Sequence, residues 1–371
     1  MTTTTTTSGI NERRAPSAAA HQFEGVRPVS ADSQIDLKSL DRYLAAHVPG
    51  YAGPSSIAQF NGGQSNPTYK LSTAAGTYVV RTKPGPVAQL LPTAHAIERE
   101  YRVQSALGKA GLPVAKMLTL CEDESIIGRA FYVMEYLDGR VLWEQSLPAE
   151  TPAGRAVIYA EMNRVIAALH TADYRAIGLQ DYGREGGFLE RQIRRWSTQY
   201  RASELEPIAE MDALIDWLPQ HVPASSRTAV IHGDYRLDNL VFDHAAPRVI
   251  GMLDWELSTL GDPAADFAYH CVGFHSDPAM FRGIAGLDLA RLGIPSEAEY
   301  VERYTRQTGI DCGEHWNFYM AFSLFKIAAI LQGVAKRASQ GIASSVHARD
   351  VGAKARVRAA QGWAAANELR L

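Results

Sequence analysis

Val230-Ile231-His232-Gly233-Asp234-Tyr235-Arg236-Leu237-Asp238-Asn239-Leu240, followed by Val249-Ile250-Gly251-Met252-Leu253-Asp254-Trp255, is the stretch on which the reading of this chain turns. Asp234 and Asn239 stand in a loop between two apolar strands, and Asp254 ends a third. Magnesium takes hard oxygen ligands, and a hydroxyl attacking a phosphate needs an acceptor for its proton. Asp234 is therefore the candidate proton acceptor, Asn239 a ligand for one metal, and Asp254 the bridge from metal to phosphates. Asp and Asn are also common turn and cap residues, so the weight lies in the joint pattern. His232 is expected to orient the loop, because the site already offers harder ligands suited to magnesium.

In this order and spacing the two motifs resemble the aminoglycoside phosphotransferase-like, or choline kinase-like, branch of the protein-kinase fold. Its catalytic loop reads H-G-D-x-x-x-x-N, and its metal-binding Asp follows an apolar strand. The resemblance runs from roughly Ile57 into the C-terminal helices. It implies an α+β, bilobal protein-kinase-like fold with a small β-rich N-lobe and a larger, mainly helical C-lobe. It also implies ATP and Mg2+ as cofactors and a small-molecule hydroxyl as acceptor.

Tyr78-Val79-Val80-Arg81, Leu253 to Asp262 and Phe318 to Arg337 are nearest to the kinase-like domains associated with acyl-CoA dehydrogenases. That likeness implies a hydroxyacyl acceptor and work alongside an acyl-CoA dehydrogenase. An aminoglycoside or choline-type kinase is the alternative. From Phe267 to Leu371 there are nine Asp/Glu against twelve Lys/Arg, a balance that counts against a polycationic acceptor. Readings from other classes are a nucleotide-binding pseudokinase and a metal-dependent phosphoesterase. The phosphoesterase would need none of the upstream features described next.

Upstream, Gly62, Gly63, Gln64, Ser65 and Asn66 lie between strand-like segments and are the expected phosphate loop, where glycines allow close backbone approach. A cation on the next strand should hold the phosphates. Arg81 is favoured over Lys83, which shares its face of the strand. The family usually has lysine here, whereas arginine grips phosphate with two hydrogen bonds and is less mobile. Glu100 is its expected partner, with Glu98 competing. Phe131 to Gly139 resembles the hinge, where the backbone of Glu135 to Leu137 would meet an adenine edge. Asp262 and Asp266 are expected to be structural, one of them capping the helix after Pro263 and bracing the loop.

At 371 residues, with 46% hydrophobic and 21% charged side chains, the chain has the balance of an ordinary globular protein with room for two lobes. The expected divisions are a disordered tail over 1–30, a nucleotide-binding N-lobe over 31–136, and a catalytic and acceptor-binding C-lobe over 137–371. A net charge of −3 suggests neither nucleic acid nor a membrane surface as partner. Cys121, Cys271 and Cys312 are far apart and unpaired in pattern, and the threonine-rich start has no apolar signal stretch, so a cytoplasmic setting is expected. The apolar run Phe318 to Leu331, interrupted by Lys326, reads as a buried core helix rather than a membrane span.

Overall fold

The computed structural model describes residues 25–29, 34–61, 66–84, 96–224, 227–278, 283–340 and 348–368. The first part of the chain builds one antiparallel sheet. Its strands are β1 (Val26–Arg27), β2 (Ser56–Phe60), β3 (Thr68–Ser72), β4 (Thr77–Thr82), β5 (Met117–Cys121) and β6 (Phe131–Glu135), in the order β1-β2-β3-β4-β6-β5. Helix α1 (Leu37–His47) starts at Asp36, whose carboxylate accepts from the N–H groups of Lys38 and Ser39. Helix α2 (Ile97–Lys109) packs against β5 and β6.

Val26–Arg27 lies inside the segment expected to be a disordered tail, and there the expectation is corrected. The short strand pairs with β2, Val26 opposite Phe60, and so occupies the edge of the sheet. Two residues carry no periodicity that a sequence reading could detect.

Beyond β7 (Arg140–Val141) the chain turns helical, with α3 (Pro152–Thr171), α4 (Phe188–Ser203) and α5 (Ala209–Trp217). Four short strands follow: β8 (Ala229–Ile231), β9 (Leu240–Phe242), β10 (Val249–Met252) and β11 (Thr259–Gly261). Helices α6 (Pro263–Cys271), α7 (Leu289–Leu292), α8 (Glu297–Thr308), α9 (Trp316–Ser339) and α10 (Ala348–Glu368) complete the described chain. Strand β9 lies between β10 and β7, and β8 pairs with β11.

These small ladders explain the placement of the chemistry. The loop from β8 to β9 carries His232 to Asn239, and the segment from β10 to β11 carries Asp254. Pairing Leu240 with Met252 brings the two polar segments together at the same strand ends. Helix α9 is the long apolar helix of the sequence, and residues such as Phe318, Met320, Leu324 and Phe325 are buried against the rest of the C-lobe.

Candidate active site

Three segments meet where the sheet faces the helical region. On the sheet side, Arg81 is almost wholly buried on β4, with Nε 2.8 Å from Glu100 Oε2. Its Nη2 reaches Asp254 Oδ1 at 3.2 Å and Glu256 Oε2 at 3.6 Å, and its Nη1 donates to Thr68 Oγ1 at 3.3 Å. Burial disfavours the charge of Arg81, yet Glu100, Asp254 and Glu256 hold the guanidinium above its ordinary value. Lys83 instead pairs with Glu98 at the exposed surface, 3.3 Å away. Arg81, not Lys83, is thus the cation that pairs with Glu100 and reaches Asp254.

Glu100 is itself fixed. Asn66 Nδ2 donates to its Oε1 at 2.8 Å, and the Tyr132 hydroxyl donates to its Oε2 at 3.0 Å. Asn66 is fully buried, and its side chain serves the Arg81–Glu100 pair. A buried polar group must find a partner, and the Glu100 carboxylate provides one. Gly62, Gly63, Gln64 and Ser65 lie outside the described residues.

At the hinge, the Leu137 N–H has no backbone partner among the described residues. The Glu135 side chain turns back to accept from the Lys116 N–H. Leu137 packs so closely on Gly251 of β10 that a Cβ there would overlap its Cδ1. A side chain at position 251 would force the Leu137 tip to move.

On the helical side, the Asn239 amide donates to the Asp234 carbonyl at 2.8 Å and to Asp234 Oδ2 at 3.2 Å. Both bonds use Nδ2, so Oδ1 of Asn239 remains available as a hard donor. The Leu253 N–H donates to the Asn239 carbonyl, which ties Asp254 to the same loop. Two protein oxygens suit magnesium, which keeps several waters and completes its shell with substrate phosphates. Asp254 has φ +64, a backbone conformation that costs energy for a side-chain-bearing residue.

Asp234 is largely buried, and that burial raises its carboxyl above the usual range while Arg236 and His232 oppose the rise. Arg236 Nη2 lies 3.1 Å from Asp234 Oδ2 and 3.5 Å from Asp238 Oδ2. Sequence reasoning passed over Arg236. Its signal was a cation two residues beyond Asp234.

The loop itself rests on Asp266. Its Oδ2 accepts from the His232 N–H at 2.8 Å, its Oδ1 from the Gly233 N–H at 2.9 Å, and His170 Nε2 lies 3.2 Å from Oδ2. Burial works against the charge of Asp266, but His170, His232 and these hydrogen bonds bring its carboxyl below the usual range. Asp262 caps α6 through Ala264 and Ala265. The two carboxylates therefore divide the expected roles between them. His232 bonds the Leu253 carbonyl through Nε2 at 2.8 Å, matching the orienting role expected of it. Gly233 has φ +82, and a Cβ there would come within 2.7 Å of the Leu257 carbonyl oxygen, so this loop position requires glycine.

Beside the loop opens a cleft of about 800 Å3. Arg99, Arg195, Lys326 and Arg337 contribute positive charge, and Trp196, Phe322 and Ile330 give apolar wall. Its carboxylates are committed elsewhere. Glu100 and Glu256 face Arg81, and Asp266 holds the loop.

Residues 56–308 match the profile of the phosphotransferase enzyme family, and the chain belongs to that family. It is 46% identical over 340 residues to mouse acyl-CoA dehydrogenase family member 10, covering 91% of this chain and 32% of that relative's length. A crystal structure from Ralstonia eutropha JMP134, provisionally named an aminoglycoside phosphotransferase, is 56% identical, with a TM-score of 0.85 over 91% of this chain and 100% of the other. Choline kinase from Cryptosporidium parvum superposes with a TM-score of 0.64 at 13% identity, over 88% and 95% of the two chains. A thermostable aminoglycoside phosphotransferase APH(4)-Ia, solved with AMP-PNP and hygromycin B, gives 0.57 at 14% identity, over 89% and 100%. These last two likenesses speak for the kinase-like α+β fold alone.

Proposed function

We propose that this protein transfers the γ-phosphate of ATP, with Mg2+, to a hydroxyl of an anionic, acyl-bearing small molecule, with a hydroxyacyl-CoA as the working acceptor class. The observation that carries the reading is the convergence of Asp234, Asn239 and Asp254 beside the buried Arg81–Glu100 pair. Distant residues have no structural need to gather so many carboxylates and two arginines in one place.

In this reading the acceptor hydroxyl gives its proton to Asp234 as its oxygen bonds to the γ-phosphorus. The bond to the bridging oxygen breaks, and ADP leaves with the electron pair. Magnesium, held through Asn239 and Asp254, would supply charge neutralisation on the phosphate oxygens. Arg81 would grip the donor phosphates, Arg236 would face the charge on the group in transfer, and the Leu137 N–H would meet the adenine edge. The basic cleft supports an anionic acceptor and disfavours a polycationic aminoglycoside or a cationic choline, because like charges across a site are costly. The relatives named as acyl-CoA dehydrogenases support work alongside such an enzyme.

Purified protein with γ-labelled ATP and Mg2+, offered hydroxyacyl-CoA esters, choline and aminoglycosides in parallel, tests the acceptor. Label on the hydroxyacyl compound alone is the expected result. Label on choline or an aminoglycoside alone overturns the acceptor class.

A further inference from the structure

Helix α9 presents one ammonium to the catalytic loop. Lys326 Nζ donates to the Gly233 carbonyl at 3.2 Å and stands 4.2 Å from the centre of the Tyr269 ring. That carbonyl belongs to the peptide whose N–H is that of Asp234. On the other side of Gly233, its own N–H is held by Asp266 Oδ1. Glycine with positive φ has wide backbone freedom, so the peptide planes flanking it must be fixed from outside.

From this geometry we infer that Lys326 is a positioning residue for phosphoryl transfer: its ammonium locks the Gly233–Asp234 peptide plane, and with it the Asp234 carboxylate, while its stem forms part of the acceptor wall. The inference rests on the phosphotransfer reading of the site. Asp266 and Tyr269 face Lys326 from α6, Asp234 from the loop and Arg195 from α4. A carbonyl clamp by a half-buried cation is a strong, directional contact, since charge-assisted hydrogen bonds exceed neutral ones. The placement also links the two sides of the reaction, because an acceptor entering the cleft touches the side chain that holds the base in line.

The sequence supplies a clean probe. Only Gly233–Asp234 and Gly261–Asp262 are Gly-Asp pairs, so the full chain labelled with 13C-carbonyl glycine and 15N-aspartate gives one correlation signal for each. Lys326→Met keeps the stem and removes the ammonium. The Gly233 signal should shift or broaden while the Gly261 signal stays in place. With magnesium-ATP and water as acceptor, kcat should fall about tenfold or more while KM for magnesium-ATP stays within about twofold, the signature of lost alignment. Lys326→Arg should restore both in part, and Lys326→Gln gives the same reading if the Met variant does not fold. An unmoved Gly233 signal, or a moved signal with unchanged kcat, overturns the inference. A wild-type chain without any magnesium-ATP turnover instead sinks the phosphotransfer reading, and the inference with it.

Discussion

The two halves of the site are held by different means. On the sheet side, Arg81 sits among Glu100, Asp254 and Glu256, so order there comes from side-chain charge spanning the strand, α2 and the segment after β10. In the catalytic loop, order comes through the backbone: Asp266 takes two consecutive N–H groups, and His232 takes the Leu253 carbonyl. The difference has a physical logic. A group that grips phosphates must exchange partners when they arrive, whereas a base must stay where it is through the whole cycle. Charge pairs between side chains can be remade, while a peptide plane clamped by a buried carboxylate cannot move without leaving polar groups unsatisfied.

That contrast can be broken by substitution, beginning with the base. Asp234→Asn should lower turnover by about 10²- to 10⁴-fold with little change in melting temperature or in magnesium-ATP affinity. Steady-state kinetics beside a thermal shift with magnesium-ATP would decide it. A variant that keeps its rate removes Asp234 from the chemistry.

Next comes the loop's anchor. Asp266→Ala strips the His232 and Gly233 N–H groups and His170 of their shared partner in a buried place, and should cost about 3–5 kcal/mol of stability. Urea unfolding at neutral pH measures it. A loss under about 1 kcal/mol would mean that the loop does not lean on this carboxylate.

The sheet side predicts a gentler outcome. Arg81→Lys keeps the charge but gives up the fork that reaches Glu100, Asp254, Glu256 and Thr68 together, so KM for magnesium-ATP should rise about tenfold with kcat changed less. Lys83→Ala, at the surface, should leave KM unmoved. If the two variants behaved alike, the assignment of the phosphate grip to Arg81 would fail.

The smallest effect is one of pH. Burial raises Asp262 to about 6, against hydrogen bonds from Ala265, Ala264 and Tyr319 that lower it. Because the folded value exceeds the unfolded one near 3.8, the folded state binds the extra proton. Its contribution is therefore complete below about 3.8 and fades as pH rises through about 6. Asp262→Asn, which preserves the cap, should lose ground to wild type by up to about 3 kcal/mol as pH falls from 7 to 4. Urea midpoints at several pH values read the difference, and a gap that widens toward high pH would contradict it.

The sequence exposed the parts of this molecule that are written locally. His232 to Asn239 and Asp254 stand between apolar runs that read as strands, whereas periodicity left Arg81 beside Lys83 and Glu100 beside Glu98, and only the family resemblance favoured the first of each. The apolar run Phe318 to Leu331, expected to be a buried helix, lies within α9. Strands β7 and β11 were not legible, because Arg140–Val141 and Thr259–Gly261 lack the wholly apolar run of β8 and β9, and they exist through pairing with β9 and β8. The bond from Asn66 to Glu100 was not legible, because a loop position says nothing of a buried carboxylate across the sheet. Lys326 looked like an interruption in an apolar helix. Its partner lies far back in the chain, and only the packing of α9 beside the loop brings the ammonium to that carbonyl.

Leu137 and Gly251 deserve a mechanical reading. The hinge leucine is seated in a notch that exists because β10 lacks a side chain there, and the same strand delivers Asp254 only three residues later. In the proposed site, contact between Leu137 and Gly251 ties the hinge to the strand that leads to Asp254, the aspartate proposed to hold magnesium. A flat inhibitor wedged at the adenine position would displace Leu137, and it would be felt as a misaligned carboxylate at the opposite end of the nucleotide.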